Sequence, residues 1–152
     1  MGHTNPRVAP HNMQSILIVE DSEDDFDATR RAFARANLLN PIVHASRGEE
    51  ALEFLNTPGQ VLPGLILLDL NMPGLDGRKI LKIIKSSSDY KDIPVVVLTT
   101  SADERDISAC YALGANTYIQ KPVDLDSLFS AVKRLKEYWF EIAILPMAAN
   151  HG

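Results

Sequence analysis

Leu65-Ile66-Leu67-Leu68-Asp69-Leu70-Asn71-Met72-Pro73-Gly74 joins an unbroken apolar run to a carboxylate and then to a Pro-Gly stop. A run this short, with no polar alternation, reads as a strand buried on both faces. A carboxylate at the carboxyl end of such a strand lies where open α/β sheets keep their ligand crevice. Three further runs share this form. Ile16-Leu17-Ile18-Val19 ends in Glu20-Asp21, Val95-Val96-Val97-Leu98 ends in Thr99, and Thr117-Tyr118-Ile119 leads to Lys121-Pro122. Three carboxylates, a hydroxyl and an ammonium, each at a strand end, define a site rather than a surface.

Between these runs lie helical patterns. Ser22, with Asp25 three residues later, predicts a capped helix start. Phe26, Arg30, Phe33 and Asn37 follow at helical spacing, and the helix is expected to end near Asn40-Pro41. A weaker strand is expected over 42–45, a helix from about Glu49 to Asn56, and a third helix carrying Ile80, Leu81, Ile83 and Ile84. A fourth helix is expected from Asp103 to Leu113, stopped by Gly114, and a fifth from Asp124 to at least Lys136. Strands alternating with helices predict a doubly wound, five-stranded parallel sheet with helices on both faces. Right-handed crossovers then put every strand carboxyl end on one edge, where Glu20, Asp21, Asp69, Thr99 and Lys121 converge.

Composition narrows the function. A length of 152 residues, 45% of them apolar, allows one domain with a real core. No stretch has the length of a membrane span and no signal pattern opens the chain, so neither a membrane nor secretion is expected. Cys110 stands alone and reads as a small core residue, which points to a reducing compartment, the cytoplasm. The net charge of −5, with acids clustered from Glu20 to Asp27, argues against nucleic acid as a partner. Glu23, Asp24 and Asp27 suit a solvated helix start. Glu20 and Asp21, directly after a buried strand, do not. His3, His11, His44 and His151 have no metal-ligand spacing.

Converging carboxylates repel one another, and a hard divalent cation relieves the repulsion. Mg²⁺ takes oxygen ligands and usually needs one or two protein carboxylates plus a phosphate. Thr99 and Lys121 suit phosphoryl oxygens. An acidic pocket that holds phosphate through a metal suggests transfer to a carboxylate, with Asp69 as nucleophile forming an acyl phosphate.

Residues 16–136 resemble the receiver domain of two-component response regulators. The motifs that carry the likeness are Val19-Glu20-Asp21, Leu68-Asp69-Leu70-Asn71-Met72-Pro73-Gly74, Leu98-Thr99-Thr100-Ser101 and Tyr118-Ile119-Gln120-Lys121-Pro122. The resemblance implies a flavodoxin-like strand order of 2-1-3-4-5. It implies a phosphoacceptor that assists its own phosphorylation and dephosphorylation rather than a turnover enzyme. Asp69 would accept a phosphoryl group from a sensor histidine kinase. Glu20, Asp21, Asp69 and the backbone carbonyl of Asn71 would serve Mg²⁺, Asp21 directly and Glu20 through water. Lys121 would hold the phosphoryl group, Thr99 would swing toward it, and Tyr118 would turn inward as the switch aromatic. The output surface would be helix four, strand five and helix five. Thr100 is bulkier than the alanine or glycine often found there in the family, and is expected to alter acyl-phosphate lifetime.

Three segments are expected: a disordered stretch over 1–15, the receiver over 16–136, and an extension of the last helix with a tail over 137–152. No effector domain fits after the receiver, so output by protein contact is expected. Leu128, Val132, Leu135, Trp139 and Ile142 are spaced 4, 3, 4 and 3 residues apart, the seam of a short coiled coil. With Trp139, Phe140 and Ile144 flanking the seam, they predict a homodimer through helix four, strand five and helix five with its tail, with Leu135, Trp139, Phe140 and Ile142 as contact residues. The competing arrangement folds the seam onto the chain's own core, since helix five must bury one face on the sheet. Glu20-Asp21-Ser22, the segment 95–101 and the tail Trp139-Phe140-Glu141 with Leu145-Pro146 are also similar to single-domain response regulators of bacterial phytochromes. That likeness implies a phytochrome-type kinase as partner.

Rival functions are a phosphorelay intermediate or phosphate sink, an aspartyl-phosphate phosphatase and a flavin-binding module. The phosphatase needs a second aspartate two residues after the nucleophile, where this chain has Asn71. A flavin phosphate would meet the acids from Glu20 to Asp25.

Overall fold

The computed structural model describes residues 14–74 and 76–142, the last three by their backbone alone. Most of the expected disordered segment and of the tail, Leu145-Pro146 included, therefore lies outside the described residues, as do Leu75 and the side chains of Phe140 and Ile142. The elements alternate as expected: β1 (Ile16–Val19), α1 (Glu23–Arg35), β2 (Ile42–Ala45), α2 (Gly48–Asn56), β3 (Leu65–Leu68), α3 (Gly77–Ser86), β4 (Val95–Thr99), α4 (Glu104–Ala112), β5 (Thr117–Gln120) and α5 (Leu125–Lys136). All strand pairs are parallel, in the order β2-β1-β3-β4-β5. No helix among the described residues is long and apolar enough to cross a membrane.

Side-chain alternation along the strands builds two cores. Leu17, Val19, Ile66, Leu68, Val95 and Val97 face α2, α3 and α4, where Leu55, Ile80, Leu81, Ile84 and Cys110 meet them. Ile16, Ile18, Leu65, Leu67 and Val96 face α1 and α5, where Phe33, Leu128, Val132 and Leu135 meet them. Cys110 is buried in the first core.

Helix α1 stops earlier than its apolar spacing suggests. Asn37 adopts φ 62°, the left-handed region that a short polar side chain tolerates. The Leu38 N–H donates to Phe33 O at 3.0 Å and the Asn37 N–H to Ala34 O at 3.0 Å, which closes the helix with a Schellman motif. Leu38 packs beside Phe33 in the core while Leu39 points to solvent at 93% exposure. Asp76, Asp103 and Asp124 cap α3, α4 and α5. After Lys136 the backbone continues as a π-helical turn over Glu137–Ile142.

Gly77 brings the start of α3 against the end of β3. A Cβ there would lie 2.5 Å from the Asp69 carbonyl oxygen and 2.7 Å from Leu70 Cα, both backbone atoms. Gly77→Ala is expected to destabilise the fold by about 2 kcal/mol, in the range of overpacking. Urea unfolding checks this; an unchanged midpoint would show that the strand end yields freely.

Candidate functional site

The parallel register delivers the site. The Glu20 N–H donates to Ala45 O at 3.0 Å, the Asp69 N–H to Val19 O at 3.0 Å, and the Lys121 N–H to Thr99 O at 2.7 Å. Each residue is thus held one position beyond its strand, with its side chain over the same sheet edge. Glu20, Asp69 and Thr99 are buried, at 5%, 7% and 0% exposure, while Asp21 is exposed. One carboxylate oxygen each from Glu20, Asp21 and Asp69 lies within 4.8 Å of the other two. This is an all-oxygen donor set of the kind that suits a hard divalent cation.

Lys121 bridges the carboxylates. Its Nζ donates to Glu20 Oε1, to Asp25 Oδ2 at 2.9 Å and to Asp69 Oδ2 at 3.3 Å. Burial pushes the Glu20 carboxyl up to about 7; the Asp69 charge adds to this and the bond from Lys121 opposes it. For Lys121, burial alone disfavours the charged form. Its bonds to Glu20 and Asp25, with the nearby Asp69 charge, outweigh that and hold the ammonium well above the usual lysine range.

The acceptor loop ties in the other residues. The Asn71 N–H donates to Asp69 Oδ1 at 3.1 Å, and Asn71 Nδ2 donates to Thr99 Oγ1 at 3.3 Å. Thr100 is exposed beside it. Tyr118 is half-buried against the first core, and its hydroxyl donates to Ser101 O at 2.9 Å. Ser101 Oγ donates in turn to Asp106 Oδ2 at 2.7 Å, and Asp106 is paired with Arg78 at the start of α3. A polar chain thus runs from the start of α3 through the start of α4 to Tyr118.

All the strand-end residues named from the sequence meet here. Of the residues expected at a dimer contact, Leu135 and Trp139 lie outside this cluster. Leu128, Val132 and Leu135 are buried in the chain's own second core, and Trp139 packs against it. Within this chain the first part of the seam is used for packing α5 on the sheet.

Two features escaped sequence reasoning. Asp25 reads as the acid of a capping box, yet Glu20 Oε2 accepts from the Ser22 N–H at 3.2 Å, the bond a capping box gives to its acid. Asp25 turns to Lys121 instead; its place in the first turn of α1, close after the strand-end acids, was the available signal. His44, set aside for lack of ligand spacing, stacks on Phe26 with centroids 3.8 Å apart, and its Nε2 lies 2.7 Å from Glu20 O. It buttresses the backbone that presents Glu20.

Comparison with known proteins agrees with this geometry. The response regulator receiver domain model matches residues 16–133. Response regulator Rcp1 of Synechocystis sp. (strain ATCC 27184 / PCC 6803 / Kazusa) is 40% identical over 137 residues, covering 88% of this chain and 93% of that protein. The Mn²⁺-bound crystal structure of response regulator Rcp1 is 39% identical, with a TM-score of 0.81 over 88% of this chain and 99% of that one. The phosphorylated cyanobacterial phytochrome response regulator RcpA is 41% identical, with a TM-score of 0.82 over the same shares, 88% and 99%. The bacteriophytochrome response regulator AtBRR is 34% identical, with a TM-score of 0.69 over 88% of this chain and 96% of that one. With five parallel strands in the order 2-1-3-4-5 and an acidic cluster at their carboxyl ends, this chain belongs to the response regulator receiver domain family.

Proposed function

We propose that the chain is a Mg²⁺-dependent phosphoacceptor that takes a phosphoryl group onto Asp69 from the phosphohistidine of a phytochrome-type sensor kinase. The observation that carries this reading is the buried Asp69 carboxylate held between Asn71 N–H and the Lys121 ammonium, beside Glu20 and Asp21. An Asp69 oxygen attacks phosphorus, the O–P bond forms as the N–P bond breaks, and the electron pair returns to the departing imidazole nitrogen. Lys121 supplies charge to the phosphoryl oxygens and Thr99 can offer its hydroxyl. Glu20, Asp21, Asp69 and the Asn71 carbonyl would hold Mg²⁺, which when bound supplies charge neutralisation at the phosphoryl group. The identity to phytochrome response regulators supports the kinase class. Asn71 stands where a phosphatase needs a proton donor, and its amide is occupied by Thr99.

Output passes through α4, β5 and α5. A phosphoryl group adds nearly two charges and three acceptor oxygens, drawing Thr99 away from Asn71. Tyr118, tied to Ser101, reads the change and alters the face beside it. The receiver unit is residues 16–136, and we assign the homodimer contact to α4, β5 and α5 with its tail. Burial of Leu128, Val132 and Leu135 within the chain favours the second reading, a monomeric relay or phosphate sink. Light scattering with Mg²⁺, with and without beryllofluoride, tests this. A rise from monomer to dimer is expected; a monomer in both conditions would leave the relay or sink.

A further inference from the structure

We propose that Asp25 is a positioning residue that holds the Lys121 ammonium toward α1 and thereby restrains phosphoryl uptake at Asp69. The inference rests on Asp69 being the acceptor and adds a residue to that site. An ammonium has three N–H donors. On Lys121 these donors face three carboxylates, with Asp25 at 2.9 Å nearer than Asp69 at 3.3 Å. A phosphoryl group arriving on Asp69 needs one of them, so a bond must be given up.

Exposure decides which. The Glu20 and Asp69 side chains are 6% and 8% exposed, whereas that of Asp25 is 50% exposed. A buried carboxylate left without its partner bears the full desolvation penalty, while water replaces the bond at an exposed one. Asp25 is therefore the partner that is exchanged. Helix α1 does not need its side chain for capping. Ser22 Oγ accepts from the Asp25 backbone N–H, the Ser22 N–H is taken by Glu20, and Glu23 and Asp24 supply acid to the first turn. Lys121 and Asp25 also line one cavity of about 140 Å³ with Thr29 and Leu98, so the open space beside the lysine lies on its α1 side. Asp25 also adds a fourth carboxylate facing any incoming phosphate.

The test is beryllofluoride affinity in saturating Mg²⁺, read by fluorine NMR of the bound species, for wild type, Asp25→Asn, Asp25→Ala and Asp24→Asn. Asp24 lies on the same helical turn, and no bond to Lys121 is found for it among the described residues, so its variant carries the same charge change without the contact. Asp25→Asn is size-matched and leaves the backbone carbonyl that accepts from Thr29 Oγ1 in place. Asp25→Asn and Asp25→Ala are expected to bind beryllofluoride about three- to fivefold more tightly than wild type, the scale of a partly exposed ion pair. Asp24→Asn is expected to match wild type. Equal affinity for wild type and both Asp25 variants, weaker binding by those variants, or an equal gain in Asp24→Asn would overturn the restraint while leaving Asp69 as acceptor. Absence of Mg²⁺-dependent binding by wild type would remove the acceptor reading and the restraint together.

Discussion

Asp69→Asn is expected to take up no detectable phosphoryl group from acetyl phosphate or from a phosphorylated kinase, a fall of more than about 10³-fold of the kind seen when a nucleophile is removed. The amide has nearly the shape of the carboxylate, and its oxygen can still accept from the Asn71 N–H. It has no anionic oxygen to attack phosphorus. The variant also removes the one charge that raises the Glu20 carboxyl, leaving burial as the cause that raises it. Folding is therefore expected to survive, and circular dichroism would show the wild-type spectrum. Radiolabel uptake equal to wild type in a folded variant would place the acceptor elsewhere.

Lys121→Met has the next largest expected effect, and it falls on stability as well as on chemistry. The Lys121 side chain is 13% exposed and is bonded to Glu20 and Asp69, which are 6% and 8% exposed. Methionine fills the volume but leaves two buried carboxylates facing each other. Removing one partner of a buried ion pair costs about 3–5 kcal/mol, a large share of the ~5–15 kcal/mol of a typical domain. Without Mg²⁺ at pH 8, the melting temperature is expected to fall by about 10 °C. Added Mg²⁺ should restore most of this, because a cation that binds only the folded chain shifts the equilibrium toward it. Phosphoryl uptake should still be about 10²-fold below wild type, the scale for losing one preorganised charge. A metal-free melting temperature equal to wild type would show that the carboxylates do not depend on the ammonium.

Much of this was legible because the strands have no polar alternation. Ile16–Val19 and Leu65–Leu68 had to be buried on both faces, so the acids directly after them had to sit at the sheet edge. Glu20, Asp69 and Thr99 met for that reason, whereas Lys121 follows the half-buried β5 and joins them because the strands are parallel. The end of α1 was less legible because the helical spacing of Phe26, Arg30, Phe33 and Asn37 carries past Arg35, and only the left-handed Asn37 shows where the helix closes. Asp25 was hidden by its own local sense as a cap residue, since its partner Lys121 lies 96 positions away. The α5 seam was ambiguous in principle. A coiled-coil stripe and the buried stripe of a helix on a sheet share their spacing, and Leu128, Val132 and Leu135 follow the second use here.

Intact-protein mass spectrometry after incubation with acetyl phosphate, with and without Mg²⁺, followed by peptide mapping, tests whether Asp69 accepts the phosphoryl group. The mass of one phosphoryl group is expected to be added only with Mg²⁺, lost on hydroxylamine treatment as an acyl phosphate must be, and mapped to Asp69. An unmodified protein, or a hydroxylamine-stable phosphate on any other residue, would contradict it.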